Sequence, residues 1–376
     1  MLKPLALCLL LAASIPSPAQ DSLRDAYKDS FHIGVAINVA QIDGIDTRGD
    51  EIIQREFDSI SPENILKWKA VHPKDGVYDF APADAYVAFG EKHHMIIIGH
   101  TLVWHEAVPE WVFQDNHGKP LSREALLKRL HDHIFTVVGR YKGRIHGWDV
   151  VNEALADDGT LRDTPWRKII GDDYIEKAFQ FAHEADPGTE LYYNDYLVEK
   201  PSKRQGTLAL IARLKEKGIR VAAVGLQGHY SLDWPSTEEL SATITAFENA
   251  GVKINVTELD VDVLPKATVQ SGMADVKAEA QLTAASNPFT AGLPDRMQQM
   301  LARRYGDLFE VLIQHRPNIS RVTFWGLSDA DSWLNNWPVR GRTNYPLLFD
   351  RAGLPKPAYD VVLNATKAAR APQKRR

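Results

Sequence analysis

The chain of 376 residues contains one cysteine, Cys8, so no intrachain disulfide can form. Its fold must rest on core packing, which a chain of this length can supply. It has no cysteine cluster at metal-ligand spacing, no glycine-rich phosphate cradle and no nucleophile elbow. These absences argue against zinc modules, P-loop chemistry and serine hydrolysis. No apolar run is long enough to cross a bilayer, which takes about 20 residues. The formal net charge is −5 with no basic stripe, which argues against a nucleic-acid partner. The one dense basic cluster, 374–376, reads as a solvated terminus.

At the N-terminus, Lys3 precedes an apolar run from Leu5 to Ala13, followed by Ser14, Pro16, Ser17, Pro18 and Ala19. A positive start, a short apolar core and a small-residue exit describe a secretory signal peptide, here assigned to 1–19. Cys8 lies inside that run as a small hydrophobe, so the exported protein would carry no cysteine. The expected organisation is a leader over 1–19, one catalytic domain over 20–370 and a basic tail over 371–376. The expected location is secreted or periplasmic, with no membrane contact after cleavage.

Beyond the leader, short apolar runs alternate with helical patterns. The strand expectations are 32–37, 64–68, 95–103, 145–151, 190–194, 221–226, 253–257 and 321–325. Most are apolar throughout, as parallel strands buried on both faces require. Helical spacing recurs over 122–139, over 236–250 behind a Ser-Thr-Glu-Glu capping box, and over 293–315. Lys217-Gly218 reads as a helix end. Eight strand–helix units predict an α/β fold, a single-domain (β/α)₈ TIM barrel, ahead of an open doubly wound sheet. The stretch 264–294, rich in Ala, Gly, Ser, Asn and Pro, breaks the rhythm as a long loop after the seventh strand.

Barrel active sites lie at the C-terminal strand ends. There the sequence places Glu63-Asn64 with Lys67-Trp68, His100 with Trp104-His105, Asn152-Glu153, Asn194-Asp195-Tyr196, Gln227-Gly228-His229, Glu258 with Asp260, and Trp325 with Trp333. His100 and His105 fall on opposite faces if both lie on a strand, so no metal site and no cofactor is expected. Carboxylates set among amides, a lysine and tryptophans suit a sugar, whose ring has apolar faces and a polar hydroxyl edge. Glycoside cleavage needs two carboxyls flanking the scissile bond. Glu153 at the fourth strand end and Glu258 at the seventh supply them.

Asn152-Glu153 after strand four, with a glutamate after strand seven, resembles the clan of barrel glycosidases. The finer motifs resemble glycoside hydrolase family 10, the endo-β-1,4-xylanases. They are Ser61-Pro62-Glu63-Asn64-Ile65-Leu66-Lys67-Trp68, Gly99-His100-Thr101-Leu102-Val103-Trp104-His105 and Trp148-Asp149-Val150-Val151-Asn152-Glu153-Ala154. Gly225-Leu226-Gln227-Gly228-His229, Val256-Thr257-Glu258-Leu259-Asp260 and Trp325-Gly326-Leu327-Ser328-Asp329 complete the set, in family order from about Phe31 to Tyr359. The resemblance implies a retaining enzyme acting on xylan or xylo-oligosaccharides by double displacement, working as a monomer. It implies Glu153 as acid/base, Glu258 as nucleophile and Asn152 on the 2-hydroxyl of the reacting sugar. Glu63, Asn64 and Lys67 would hold the next sugar on the non-reducing side. His100, Trp104, Gln227, Trp325 and Trp333 would shape the reacting subsite. His229 would bond Glu258 while Asp260 tunes that pair, and His105 would support the site from behind. An anionic neighbour keeps the acid protonated until the glycosyl-enzyme removes that charge.

Two positions depart from the family pattern. Ala107 stands where a sugar-contacting Gln is common, which weakens xylose recognition there, and Leu197 stands where Asn is frequent. Two other readings remain open from sequence: a β-1,4-glucanase or mixed xylan/glucan hydrolase, and a non-catalytic carbohydrate-binding protein. The second would be expected to lose one of the two carboxylates, and both are present.

Overall fold

The computed structural model describes residues 22–265 and 282–370. The leader, most of the 264–294 stretch and the basic tail lie outside these residues. Apolar sequences buried on both faces form the expected parallel strands. They are β1 His32–Ile37, β2 Ser59–Pro62, β3 Ile96–Val103, β4 Gly147–Asn152, β5 Glu190–Asp195, β6 Ala223–Leu226, β8 Lys253–Asp262 and β9 Ile319–Phe324. Each pairs with the next around a ring, and β6–β8 pairing closes it. A three-residue strand, β7 His229–Ser231, lies outside the ring and pairs with β8 through His229 opposite Asp260. The result is a (β/α)₈ barrel.

Helices surround it where the periodicity placed them, including Arg123–Arg140, Thr237–Asn249 and Asp295–Gln314. Ser236 closes a complete capping box with Glu239. The helix Pro201–Glu216 ends through Lys217 and Gly218, whose φ of 71° few other residues tolerate. Close approach explains one more glycine. A Cβ on Gly225 would lie 2.2 Å from Asn194 Oδ1, so only glycine leaves that amide in place.

Three expectations need correction. Residues 64–68 are not a strand: β2 ends at Pro62, a loop follows, and a short helix spans Trp68–Val71. Ile65 and Leu66 are buried by that loop's packing, which apolar content cannot distinguish from a strand. Glu258 does not end its strand either, because β8 continues to Asp262 with Leu259 and Val261 buried. The pairing of β8 with β9 shifts register between Val256 and Leu259, so the ladder is irregular at Glu258. Finally, β3 stops at Val103, so His105 lies beyond the strand and the opposite-face argument does not apply to it.

Candidate active site

The C-terminal strand ends and the loop after β9 enclose a groove of about 550 Å³. Glu63, Asn64, Lys67, His100, Trp104, Asn152, Glu153, Gln227, His229, Glu258, Trp325 and Trp333 all line it. Every predicted sugar-facing residue is thus in one place. Asp260 and His105 are not on its lining; they stand one layer behind, against His229 and Trp104.

Glu153 follows the last residue of β4 and is buried. Its Oε1 accepts from Gln227 Nε2 at 2.8 Å and from Asn152 Nδ2 at 3.1 Å. Its Oε2 accepts from the Trp104 indole N–H at 2.9 Å. Trp104 is held in turn, since its carbonyl accepts from Trp166 Nε1 at 2.9 Å. Three neutral donors therefore fix both oxygens of this carboxyl.

Glu258, also buried, is held differently. Its Oε2 lies 3.3 Å from His229 Nε2, and His229 Nδ1 lies 3.1 Å from Asp260 Oδ1. Residues 258 and 260 share one face of β8 because side chains alternate, which sets the imidazole between two carboxylates. Burial alone would push His229 down, but Asp260 and Glu258 outweigh it and carry it up to about 10. For Glu258, burial pushes upward and is overcome by the His229 hydrogen bond, with His100 and Asn194 adding to it, so this carboxyl lies below its ordinary value. It is an anion at neutral pH. Asp260 also accepts from the Trp333 indole N–H at 2.8 Å, which ties the groove's aromatic wall to the same relay.

An amide bridge joins the two carboxyls. Asn194 Nδ2 donates to Glu258 Oε1 and to Asn152 Oδ1, each at 2.8 Å, and Asn152 Nδ2 reaches Glu153. Thr257 Oγ1 donates to Asn194 Oδ1 at 2.6 Å and fixes that amide's orientation. His100 is oriented from beneath, with Nδ1 2.9 Å from Asp149 Oδ2 and its ring edge-on to Trp325.

At the far end, Lys67 Nζ donates to Asn64 Oδ1 at 3.0 Å and lies 5.1 Å from the Trp104 ring centroid. Burial lowers its ammonium from the ordinary value, against the pull of Glu258, Glu153 and Glu63. Burial, then the neighbouring Asp331, raises Glu63 to about 7. The loop carrying Trp333 is anchored by a buried ion pair in which Lys356 Nζ contacts Asp329 Oδ2 at 2.9 Å and the Tyr345 carbonyl at 2.8 Å.

The groove also contains residues that motif reading did not single out as site residues: Tyr196, Asp331, Asn336, Trp337, Pro338 and Arg340. Trp337 stacks on Trp333 with centroids 4.9 Å apart. The Trp-rich run after Trp325 carried that signal; nothing local in the sequence marked Asn194 as the bridge between carboxyls. Ala107 is not on the groove lining, and its carbonyl instead accepts from Lys69 N at 2.8 Å. Leu197 adopts φ 54°, a conformation Asn tolerates better, which gives the second departure a backbone cost.

Residues 22–365 match the family described as Glycosyl hydrolase family 10. Endo-1,4-beta-xylanase A of Xylanibacter ruminicola is 42% identical over 94% of this chain and 96% of its own length. A family 10 endoxylanase structure retrieved from sugarcane soil metagenome superposes with a TM-score of 0.87 at 45% identity, covering 92% of this chain and 100% of that one. A mutant chain solved in complex with xylotriose gives a TM-score of 0.81 at 38% identity, over 92% of this chain and 100% of that one.

Proposed function

The chain belongs to glycosyl hydrolase family 10, and we propose that it is a retaining endo-1,4-β-xylanase with Glu258 as nucleophile and Glu153 as acid/base. The observation that carries this reading is the unequal treatment of two bridged carboxyls. Glu258 is held as an anion by His229, whereas Glu153 is bonded by the neutral donors Trp104, Gln227 and Asn152. In the first step Glu258 attacks the anomeric carbon, the bond to the leaving oxygen breaks, and Glu153 gives that oxygen its proton. In the second, water adds to the anomeric carbon, passes a proton to Glu153, and Glu258 departs as a carboxylate.

The surrounding residues would serve those steps. Asn152, held by Asn194, meets the 2-hydroxyl of the reacting sugar. Glu63, Asn64 and Lys67 bind the next sugar, and Trp325 and Trp333 offer flat faces to sugar C–H groups. The similarity to xylanases over most of the chain supports xylan as substrate. We further read residues 20–370 as the catalytic domain of an exported monomer that needs no metal or cofactor.

Proton NMR of the first product from xylohexaose tests the mechanism. The β-anomer is expected, and α-anomer as first product would overturn it. Initial rates on xylan and carboxymethyl-cellulose test the substrate: the xylan rate should dominate, and comparable rates would favour the mixed-hydrolase reading. Activity should persist in chelator.

A further inference from the structure

Glu153 is the first residue past β4 and takes a left-handed backbone, φ 55°, which residues with a Cβ seldom adopt. Something must hold it. On one side the Glu153 N–H donates to the Asn194 carbonyl at 2.9 Å. On the other the chain makes a hairpin, with Ala156 N to Thr160 O and Arg162 N to Ala154 O both at 2.8 Å, and returns at Arg162. The Arg162 guanidinium then reaches back. Its Nε donates to the Glu153 carbonyl at 3.3 Å, and its Nη2 donates to the Leu155 carbonyl at 3.1 Å and to the Tyr196 hydroxyl at 2.7 Å.

Tyr196 is itself fixed. Its hydroxyl donates to Asp157 Oδ1 at 3.0 Å, and the fully buried Lys203 lies 3.4 Å from its ring centroid while pairing with Asp195 at 2.8 Å. One planar cation therefore joins the backbone of Glu153, the hairpin after it and an aromatic of the groove wall. A lysine ammonium cannot reproduce that fork.

We propose that Arg162 is a positioning residue for proton donation: by clamping the Glu153 carbonyl against Tyr196 it sets the angle at which the Glu153 carboxyl meets the leaving oxygen. This rests on the reading of Glu153 as acid/base. Arg162 is not among the residues lining the groove, and it acts through Glu153. It acts on the step that needs the acid and on nothing else in glycosyl transfer to Glu258.

The test compares two leaving groups. Xylotetraose expels a sugar hydroxyl that must be protonated, whereas 2,4-dinitrophenyl β-xylobioside expels a phenolate that needs no acid. For Arg162→Lys, kcat/KM on xylotetraose should fall roughly 10–100-fold, part of the 10²–10⁴ that general acid catalysis supplies, and by less than about 3-fold on the dinitrophenyl substrate. Asp157→Asn, which weakens the anchor of the Tyr196 hydroxyl from outside the groove, should show the same selectivity at smaller size and guards against misfolding of the arginine variant. Glu153→Ala, measured alongside, must show that selectivity in full. If it does not, the role of Glu153 fails and the proposal with it. If it does while both clamp variants lose the two substrates equally, or lose neither, Arg162 has no positioning role.

Discussion

Among the described residues, every donor hydrogen-bonded to the Glu153 carboxyl is neutral: the Trp104 indole and the Gln227 and Asn152 amides. Across the same groove, Glu258 faces His229, an imidazolium braced by Asp260. The two residues are alike in chemistry and in burial, so the difference lies wholly in what surrounds them. A group that must carry a proton in one step and lack it in the next has no fixed counter-charge bonded to it. A fixed nucleophile is served by a fixed counter-charge. The fold builds this asymmetry from strand geometry. Alternation on β8 sets Glu258 and Asp260 on one face, and β7 inserts His229 between them.

The largest break in the comparison comes from removing either carboxyl. Glu258→Ala should lose at least about 10³-fold in kcat/KM on xylan, and Glu153→Ala about 10²–10⁴-fold, read by reducing-sugar release. Equal activity to the parent in either variant would remove that residue from the chemistry.

Next is the relay. His229→Gln removes the cation and the hydrogen bond that hold Glu258 low against burial, so the Glu258 carboxyl rises. Activity requires the anion and is lost as pH falls through that pKa. The acidic limb of the kcat/KM profile should therefore move upward, with a roughly 10–100-fold loss at its optimum. Asp260→Asn should act in the same direction to a smaller extent, because His229 then loses the partner that most raises it. An unmoved acidic limb in both variants would show that the relay does not set the charge of Glu258.

A smaller effect sharpens the other half. Gln227→Ala deletes a neutral donor to Glu153, so a loss of roughly 3–30-fold is expected with the acidic limb in place. A shift as large as that of His229→Gln would erase the distinction between the two environments.

Smallest for catalysis, though not for stability, is the scaffold pair His72 and His133. Their rings stack beside Trp68 with Nδ1 atoms 3.2 Å apart. Burial lowers His72 to about 4 and lowers His133 further from its ordinary value. The unfolded chain thus binds more protons than the folded one below the ordinary histidine pKa of about 6.5. Stability is complete above that pH and falls, by about 1–3 kcal/mol for such a group, as pH drops toward 4. Thermal melts of His133→Phe between pH 7 and pH 4 should show a shallower decline than the parent, with kcat at pH 7 little changed. An identical decline would place the acid sensitivity elsewhere.

How far the sequence reaches depends on the range of the interaction. β1 and the helix at Arg123–Arg140 were legible because burial on both faces and helical periodicity are local patterns. Part of the groove was legible because barrel strands deliver the residues after their ends to one mouth, as Glu153 after β4 and Gln227 after β6 show, whereas Glu63, His100 and Trp333 were legible only through the family motifs. The loop at 64–68 was misread because a buried turn and a buried strand share composition. The end of β8 was misread because nothing at Glu258 signals that pairing with β7 continues. The Asn194 bridge and the Arg162 clamp were not legible at all. Each is defined by hydrogen bonds between different strands and loops, and an Asn or Arg in isolation carries no mark of its partner.

The account stands or falls on which carboxyl forms the bond to sugar. Incubation with an activated 2-deoxy-2-fluoro-β-xylobioside, followed by peptic digestion and mass spectrometry, reads this directly. The prediction is a stoichiometric fluoroxylobiosyl adduct on the peptide containing Glu258, with none on the peptide containing Glu153. An adduct on Glu153, or inactivation with no covalent adduct, would contradict it.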